Sequence, residues 1–261
     1  MNNTYWHRQT KDKPLFPNLL WSRPENRAHA GKLLIAGGNS YGFAAPAEAF
    51  AAASKAGIGR ARVLLPDSLQ KTLKAFEAGE YAPSTPSGSF SQRALAEVLA
   101  SSNWADGVLL AGDFGRNSET AILLENFVQK FVGQLTITKD ALDYFTSAPL
   151  LVLNRSETTL VLSFAQLQKM AIAAHFPSAF TFDMDLIRLV DNLHEFTSTH
   201  QCNIIVKHLD TSLIASSGQV STTKLTADKK VWRVTTAAAA SVWWLQNPEK
   251  PFEALTTSLV V

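Results

Sequence analysis

The chain has one cysteine, Cys202, in 261 residues, so no internal disulfide and no cysteine-rich zinc site can form, and a small stapled scaffold is excluded. An excess of one charge is also missing: 24 Lys and Arg stand against 22 Asp and Glu, and neither sign forms a long block. A protein that works through a continuous basic surface is therefore not expected, and nucleic acid is not an expected partner. No run of about 18 apolar residues occurs, as a membrane-spanning helix would need. The N-terminal stretch MNNTYWHRQTKDKP lacks the apolar centre of an export signal. These absences lead to the expectation of a cytoplasmic protein with no membrane partner. What remains is a 46% hydrophobic composition in a chain long enough to bury its own core.

Residues 1–26 read as an irregular arm, interrupted by Pro14, Pro17 and Pro24 and carrying Trp6, Phe16 and Trp21 as apolar anchors. Such an arm packs over a core or against a second subunit, and a homo-oligomer is expected. Residues 27–261 read as a single domain. From Lys32 onward short β-rich runs alternate with helical spacing, the pattern of a parallel sheet covered on both faces. The predicted strands are Leu33–Ala36, Ala61–Leu65, Gly107–Ala111, Leu135–Thr138, Leu150–Leu153 and Asn203–Lys207. Between them the spacing predicts helices over Ala44–Ala56, Asp67–Ala78, Ser91–Ser101, Ser118–Phe131, Asp140–Phe145, Ser163–Ala174 and Phe182–Thr197. Thr211–Ala215, Gln219–Leu225 and Val231–Thr235 read as antiparallel strands, with turns at Ser216–Gly218 and Ala227–Lys229, before a helix over Ala237–Leu245. Glu80–Phe90 reads as a long loop. The fold class is α/β, with three α/β/α layers, a mainly parallel central sheet and antiparallel strands toward the C-terminus.

The stretch HAGKLLIAGGNSYGFAAPAEAFAAASKAGIGRARV, His29–Val63, carries the most chemical information. A strand ends in Gly37 and Gly38, passes Asn39 and Ser40, and enters an alanine-rich helix closed by Gly57 and Gly59. Glycines at such a turn permit positive φ and close ligand approach, and the helix N-terminus offers unpaired N–H groups to an anion. The spacing is not that of the usual dinucleotide fingerprint.

These residues resemble the ADP- or ATP-dependent NAD(P)H-hydrate dehydratases, a family with the ribokinase-like fold. His29–Gly31, Gly37–Asn39, Ala44 with Ala45, and Gly57–Gly59 match its opening pattern. LLAGDFG (Leu109–Gly115), TKDALDYF (Thr138–Phe145), LLVLNRSE (Leu150–Glu157) and VKHLDT (Val206–Thr211) follow in the family's order, so the resemblance spans residues 27–245. It implies a repair reaction in which water is removed from hydrated NAD(P)H at the expense of ADP or ATP, with Mg as a companion of the nucleotide. It also implies site residues: Gly37, Gly38, Asn39, Lys207, Thr211 and Ala240 toward the nucleotide, and Ala45, Asp113, Gly115 and Asn154 toward the substrate. No protein-held metal is expected.

The hydroxyl to be removed is a poor leaving group, so the reaction needs a carboxylate base and a glycine-lined hole for the transferring phosphoryl group. The family supplies both in a Gly-Gly-Thr-Gly-Asp motif at the start of a late helix. Here that stretch reads Thr236-Ala237-Ala238-Ala239-Ala240-Ser241, with Ser241 in the place of the catalytic aspartate. Loss of a positioned base costs on the order of 10²–10⁴ in rate, and alanine disfavours positive φ by roughly 1–2 kcal/mol per residue. Asp113 adds a carboxylate where the family has a substrate-facing glycine, and His208 replaces the glycine between Lys207 and Thr211. The expectation is a catalytically silent homologue that keeps the fold, with a nucleotide or dinucleotide pocket, and acts as a binding or structural subunit. The alternatives are an active dehydratase whose base has moved to Asp140, Asp210 or Asp228, and a small-molecule kinase of the same superfamily.

Other residues read more plainly. His29 suits a surface or capping position, and His175, His194, His200 and His208 lack metal-binding spacing. Asp183 and Asp185 suit the start of a helix. Trp243 and Trp244 suit a core. Cys202 suits an inert buried site.

Overall fold

The structure, a computed structural model, describes residues 4–73, 77–224 and 232–261. Within these, one sheet contains β1 (Trp6–Gln9), β2 (Lys32–Gly37), β3 (Arg60–Pro66), β4 (Gly79–Ala82), β5 (Gly107–Gly112), β6 (Gln134–Thr138), β7 (Thr158–Leu162), β8 (Asn203–His208), β9 (Thr211–Ser216) and β10 (Gln219–Lys224). The helices are α1 (Pro17–Trp21), α2 (Ala44–Lys55), α3 (Leu95–Trp104), α4 (Ser118–Lys130), α5 (Leu150–Leu153), α6 (Phe164–Ala173), α7 (Leu186–Thr199), α8 (Trp232–Gln246) and α9 (Pro251–Ser258). No helix among the described residues is long and apolar enough to cross a membrane.

Strand order is β1-β10-β9-β8-β7-β6-β5-β2-β3-β4. The pairs from β4 through β8 are parallel, and β8, β9 and β10 pair antiparallel. Alternation along each central strand assigns its side chains to two cores. Leu34, Val108, Leu110, Leu160 and Ile204 join the core built with α3, α4, α6 and α7. Leu33, Ile35, Leu109, Val161 and Ile205 join the core built with α2, α8 and α9. The three α/β/α layers follow from this period of two in strands that are buried on both faces.

Five readings of the sequence differ from the structure. Leu150–Leu153 is the short helix α5 and not a strand; Pro149 precedes it, and a four-residue apolar run carries no periodicity with which to choose. The strand at that point of the chain is Thr158–Leu162, TTLVL, rich in β-branched residues. Asp67–Ala78 yields only a 3-10 turn at Asp67–Leu69 within its described part, and Gly79–Ala82, read as the beginning of a loop, forms β4. Val231–Thr235 was expected as a strand, but its described part, from Trp232, is in α8, because packing of the following alanines carries the helix through two threonines and a valine. Residues 225–231, which include the expected turn Ala227–Lys229, lie outside the described residues.

The N-terminal segment also departs from an irregular arm. Trp6–Gln9 forms β1, a parallel edge strand on β10, where Tyr5 donates to Asp191 and stacks on His194 with ring centroids 3.8 Å apart. That hydrogen bond, with burial, pushes the Tyr5 phenol up to about 12. Trp6 and Phe16 pack against the two cores, but Trp21 is 88% exposed and is not among the described residues packed against either core.

At the centre, β2 and β5 meet through glycines. The register shifts between Ala36 and Gly37 so that Gly37 opposes Gly112, and a Cβ on Gly37 would stand 2.3 Å from the Gly112 carbonyl oxygen. Backbone cannot yield there as a flexible side chain can. We expect Gly37→Ala to lower unfolding free energy by about 2–4 kcal/mol, measured by urea denaturation. Gly42→Ala, where nothing lies within 4 Å of the added carbon, should stay within about 0.5 kcal/mol of the parent.

Candidate functional site

The order of strands reverses at the β2/β5 pair, since β3 and β4 extend to one side and β6 to β8 to the other. In open α/β sheets such a switch point, at the carboxyl ends of the strands, opens a crevice for ligands. The turns that leave β2, β5 and β6 are bonded to one another at this point.

After β2, Gly38 takes φ 90° and its N–H donates to the Gly112 carbonyl. Asn39 then closes a tight turn with Gly42, accepts the Tyr41 N–H on its side chain, and donates from Nδ2 to the Asp113 carbonyl at 2.6 Å. Tyr41 stands at the tip of the turn, 92% exposed. After β5, Asp113 adopts a left-handed φ of 61°, rare outside glycine. Its Oδ2 accepts the Ala45 N–H at the start of α2, and its Oδ1 accepts from Lys139 Nζ, each at 2.7 Å. After β6, Lys139 is itself left-handed at φ 54°. Asp140 follows, taking the N–H groups of Asp113 at 2.7 Å and Gly115 at 3.1 Å, one on each oxygen. Burial pushes the Asp140 carboxyl above its ordinary value, assisted by the charge of Asp113 and opposed by those two N–H bonds.

The next strand end adds a relay. Ser163 and Gln166 form a capping box at the head of α6. The Gln166 amide donates to the Lys139 carbonyl and to Asp143, while its oxygen accepts from Arg233 Nη1 at 2.9 Å. Burial lowers the Arg233 pKa, and the charges of Asp143 and Asp140 oppose that shift. Farther along the same edge, β8 ends at Lys207 and the buried His208, whose ring meets Phe164 and Phe182. Thr211 Oγ1 donates to Asp210, and Asp210 pairs with Lys224 at 3.4 Å. The hydrogen bond from Thr211, with Lys224, holds the Asp210 carboxyl below its ordinary value.

The structure thus brings Gly37, Gly38, Asn39, Ala45, Asp113 and Gly115 into one cluster, with Lys207 and Thr211 on the same edge beside it. Asn154 is elsewhere. It caps α5 ahead of β7, bonds His200 Nδ1 at 3.1 Å, and so lies at the opposite edge of the sheet. The turn that follows β7 at the cleft edge is Ser163–Gln166. The error in Asn154 follows directly from the misread strand at Leu150–Leu153.

Ala240 and Ser241 lie inside α8, roughly 12 Å along the axis from its first residue. Ser241 is 4% exposed, and its hydroxyl donates to Thr136 Oγ1 and the Ala237 carbonyl, each at 2.8 Å. The alanine run expected at a helix start is a packing face instead, with Ala237, Ala238 and Ala240 fully buried against the sheet and α2. Of the candidate relocated carboxylates, Asp140 is in the cluster, Asp210 is on the β8–β9 turn, and Asp228 is outside the described residues.

Lys139, Gln166 and Arg233 are the polar groups of this edge that the sequence reading missed. Lys139 stood in plain view beside Asp140, but Arg233 was hidden in an expected strand. Asp185 caps α7 through the Arg188 N–H, Trp243 and Trp244 fill the core, and burial pushes the Cys202 thiol up to about 12. His175, His194 and His200 line an open hollow of about 500 Å³ between the ends of α6 and α7. Among the described residues no three His, Cys, Asp or Glu side chains gather so as to hold a metal ion.

Comparison with solved structures agrees with the fold. A ribokinase-like superfamily protein from Enterococcus faecalis superposes with a TM-score of 0.73 at 15% identity, over 100% of this chain and 87% of that one. An ADP/ATP-dependent NAD(P)H-hydrate dehydratase from Bacillus subtilis, co-crystallised with ATP and Mg2+, gives 0.61 at 11% over 94% and 86%. The pyridoxal kinase of B. subtilis, an ADP complex, gives 0.57 at 7% over 87% and 88%. The chain has the ribokinase-like fold. No protein-family model and no curated protein matches its sequence.

Asp140 generates a test of the cluster. Its raised pKa means that the folded state holds the proton more tightly than the unfolded chain, so this residue's contribution to stability is full below the ordinary value of 3.8 and is lost as pH rises through the folded value. Asp140→Asn cannot titrate. The stability of the variant relative to the parent should therefore shift in the variant's favour as pH rises from about 4 toward neutrality, read from denaturation midpoints across pH. A difference that stays flat would show that Asp140 keeps its unfolded pKa.

Proposed function

We propose that this protein is a nucleotide-binding member of the ribokinase-like fold that does not dehydrate hydrated NAD(P)H. The observation that carries the reading is the continuity of α8. Its interior N–H groups are bonded within the helix, alanine methyls fill the positions where an anion hole would need open backbone, and Ser241 is turned into the core toward Thr136. A phosphoryl group in transfer needs unpaired donors and a base at one point. Neither is available at the alanine run, where the N–H groups are inside the helix and the Ser241 hydroxyl is bonded to Thr136 and the Ala237 carbonyl.

What supports a nucleotide is the other end of the edge. Lys207 lies beside His208, whose Nδ1 is buried and finds no hydrogen-bond partner among the described residues. Phe182 and Leu209, both largely exposed, flank that histidine. A cation, an unsatisfied polar atom and apolar surface together suit a phosphate-bearing base. ADP or ATP would take Lys207 and Thr211 as its contacts, with Arg233 nearby on the first turn of α8. Magnesium would arrive with the phosphates, since both Asp140 oxygens are engaged by backbone.

A relocated base is favoured by one observation, the raised pKa of Asp140 inside the cleft. Against it, each Asp140 oxygen already accepts an N–H of the loop after β5, so the carboxylate serves to hold that loop. The kinase reading requires the same missing carboxylate and anion hole.

With ADP or ATP and hydrated NADH, purified protein should give no turnover above background, while calorimetry should register ADP. Lys207→Ala should weaken ADP binding about tenfold, the worth of one charge-assisted contact. Turnover abolished by Asp140→Asn would overturn the reading. Restoring the carboxylate alone should also fail: Ser241→Asp buries an acid against Thr136 and should cost about 2–4 kcal/mol of stability without creating activity, as denaturation and the same assay would record.

A further inference from the structure

The crevice between β2 and β5 already contains an anion, and the anion belongs to the chain. One oxygen of Asp113 takes the Ala45 N–H at the head of the 12-residue helix α2, and the other takes the Lys139 ammonium, both at 2.7 Å. These are the two kinds of partner that a bound phosphate or carboxylate would use here: an open helix N–H and a lysine. The placement is held against backbone preference, since Asp113 and Lys139 are two of the five described non-glycine residues with positive φ and they face each other across the ends of β5 and β6. There is little slack. A Cβ on Gly112 would come within 2.7 Å of Lys139 Cβ and 2.9 Å of Asp140 Oδ1. Asn39, through the Asp113 carbonyl, and Asp140, through the Asp113 N–H, pin the residue from both sides.

We infer that Asp113 is a specificity-determining residue: its carboxylate occupies the anion position beside α2 and excludes pyrophosphate-bearing ligands from this half of the cleft. The inference rests on the reading of this sheet edge as the ligand edge, and it deepens that reading by dividing the edge in two. In the half at β2 and β5 the Asp113 and Lys139 charges cancel, the Asp140 carboxyl stands beside them, and the polar groups are bonded within the chain, so no anion is accepted there. The half at β8 and β9 is left to a mononucleotide. A dinucleotide, whose pyrophosphate would need both the α2 terminus and Lys139, is refused.

The test uses the full chain as parent, Asp113→Gly, Asp113→Asn and the double variant Asp113→Gly with Lys139→Ala. Glycine suits a φ of 61° and should keep the turn. Each protein is titrated calorimetrically at equal salt with inorganic pyrophosphate and, separately, with ADP. Asp113→Gly should bind pyrophosphate about tenfold or more tightly than the parent. The double variant should lose that gain, and Asp113→Asn should fall between. Equal pyrophosphate affinity in parent and Asp113→Gly would overturn the inference, as would a gain that survives loss of Lys139. Should a melting curve find Asp113→Gly unfolded, Asp113→Asn decides, and parent-like affinity in it overturns. The ADP titration separates the two readings. Absence of ADP binding in every protein, together with the pyrophosphate gain, would remove the nucleotide reading and leave this one standing, and ADP binding throughout without the gain would do the reverse.

Discussion

The approach of Gly37 to Gly112 is the constraint from which the rest of the cleft follows. The approach requires glycine at Gly37, whose Cβ would meet the Gly112 carbonyl, while a Cβ on Gly112 would meet Lys139 and Asp140, and the close pairing coincides with the reversal of strand order. The chain leaves β2 and β5 toward opposite sides of the sheet, and their turns meet at the head of α2, where Asn39 and Ala45 bond Asp113. Gly112 then releases the chain into two successive left-handed residues, itself and Asp113, and this aims the Asp113 carboxylate back at α2. A side chain at either glycine would move the carboxylate, and with it Lys139 and Asp140.

How much of this was legible depends on the kind of signal. Buried strands such as Gly107–Gly112 announce themselves by continuous apolar runs with glycine at their ends, and Ser163 and Asn117 announce helix starts through their caps. Leu150–Leu153 did not, because four apolar residues fit a strand or one buried helical turn equally well, and only the tertiary placement of Thr158–Leu162 between β6 and β8 decides. That single exchange carried Asn154 to the wrong edge. The glycine turn after β2 was legible as a site for the same reason that it is rigid. Lys139 was not, since nothing in TKDALDYF states that its lysine will face Asp113 across the next strand end. A pair of that kind is a fact of topology.

The alanine run of α8 illustrates how one composition serves two purposes. Small residues at this position permit close backbone approach whether the neighbour is a phosphate or another helix. Here the neighbour is protein: Ala45, Ala49 and Ala53 of α2 and Ala237, Ala238 and Ala240 of α8 share one core. With glycine in their place the helix interior would be destabilised by about 1 kcal/mol per residue, a loss that a binding site must recover from its ligand. With alanine the helix is self-sufficient, and Arg233, near the N-terminal end of its described part, reaches Gln166 at the cleft edge. The alanine face and the Arg233 contact with Gln166 thus belong to one helix.

A site made to hold a ligand usually leaves polar groups unsatisfied until the ligand arrives, because donors that are already bonded must break those bonds before they can bind. By that criterion the two halves of the edge differ. Around Asp113, the N–H of Ala45, the ammonium of Lys139 and both oxygens of Asp140 are matched within the chain. At the end of β8, the buried Nδ1 of His208 is unmatched among the described residues, under the exposed faces of Phe182 and Leu209. Folding alone accounts for the first half. The second half retains, at His208 Nδ1, a desolvated donor or acceptor that the described residues leave unmatched, and this is the physical difference between the two halves of the edge.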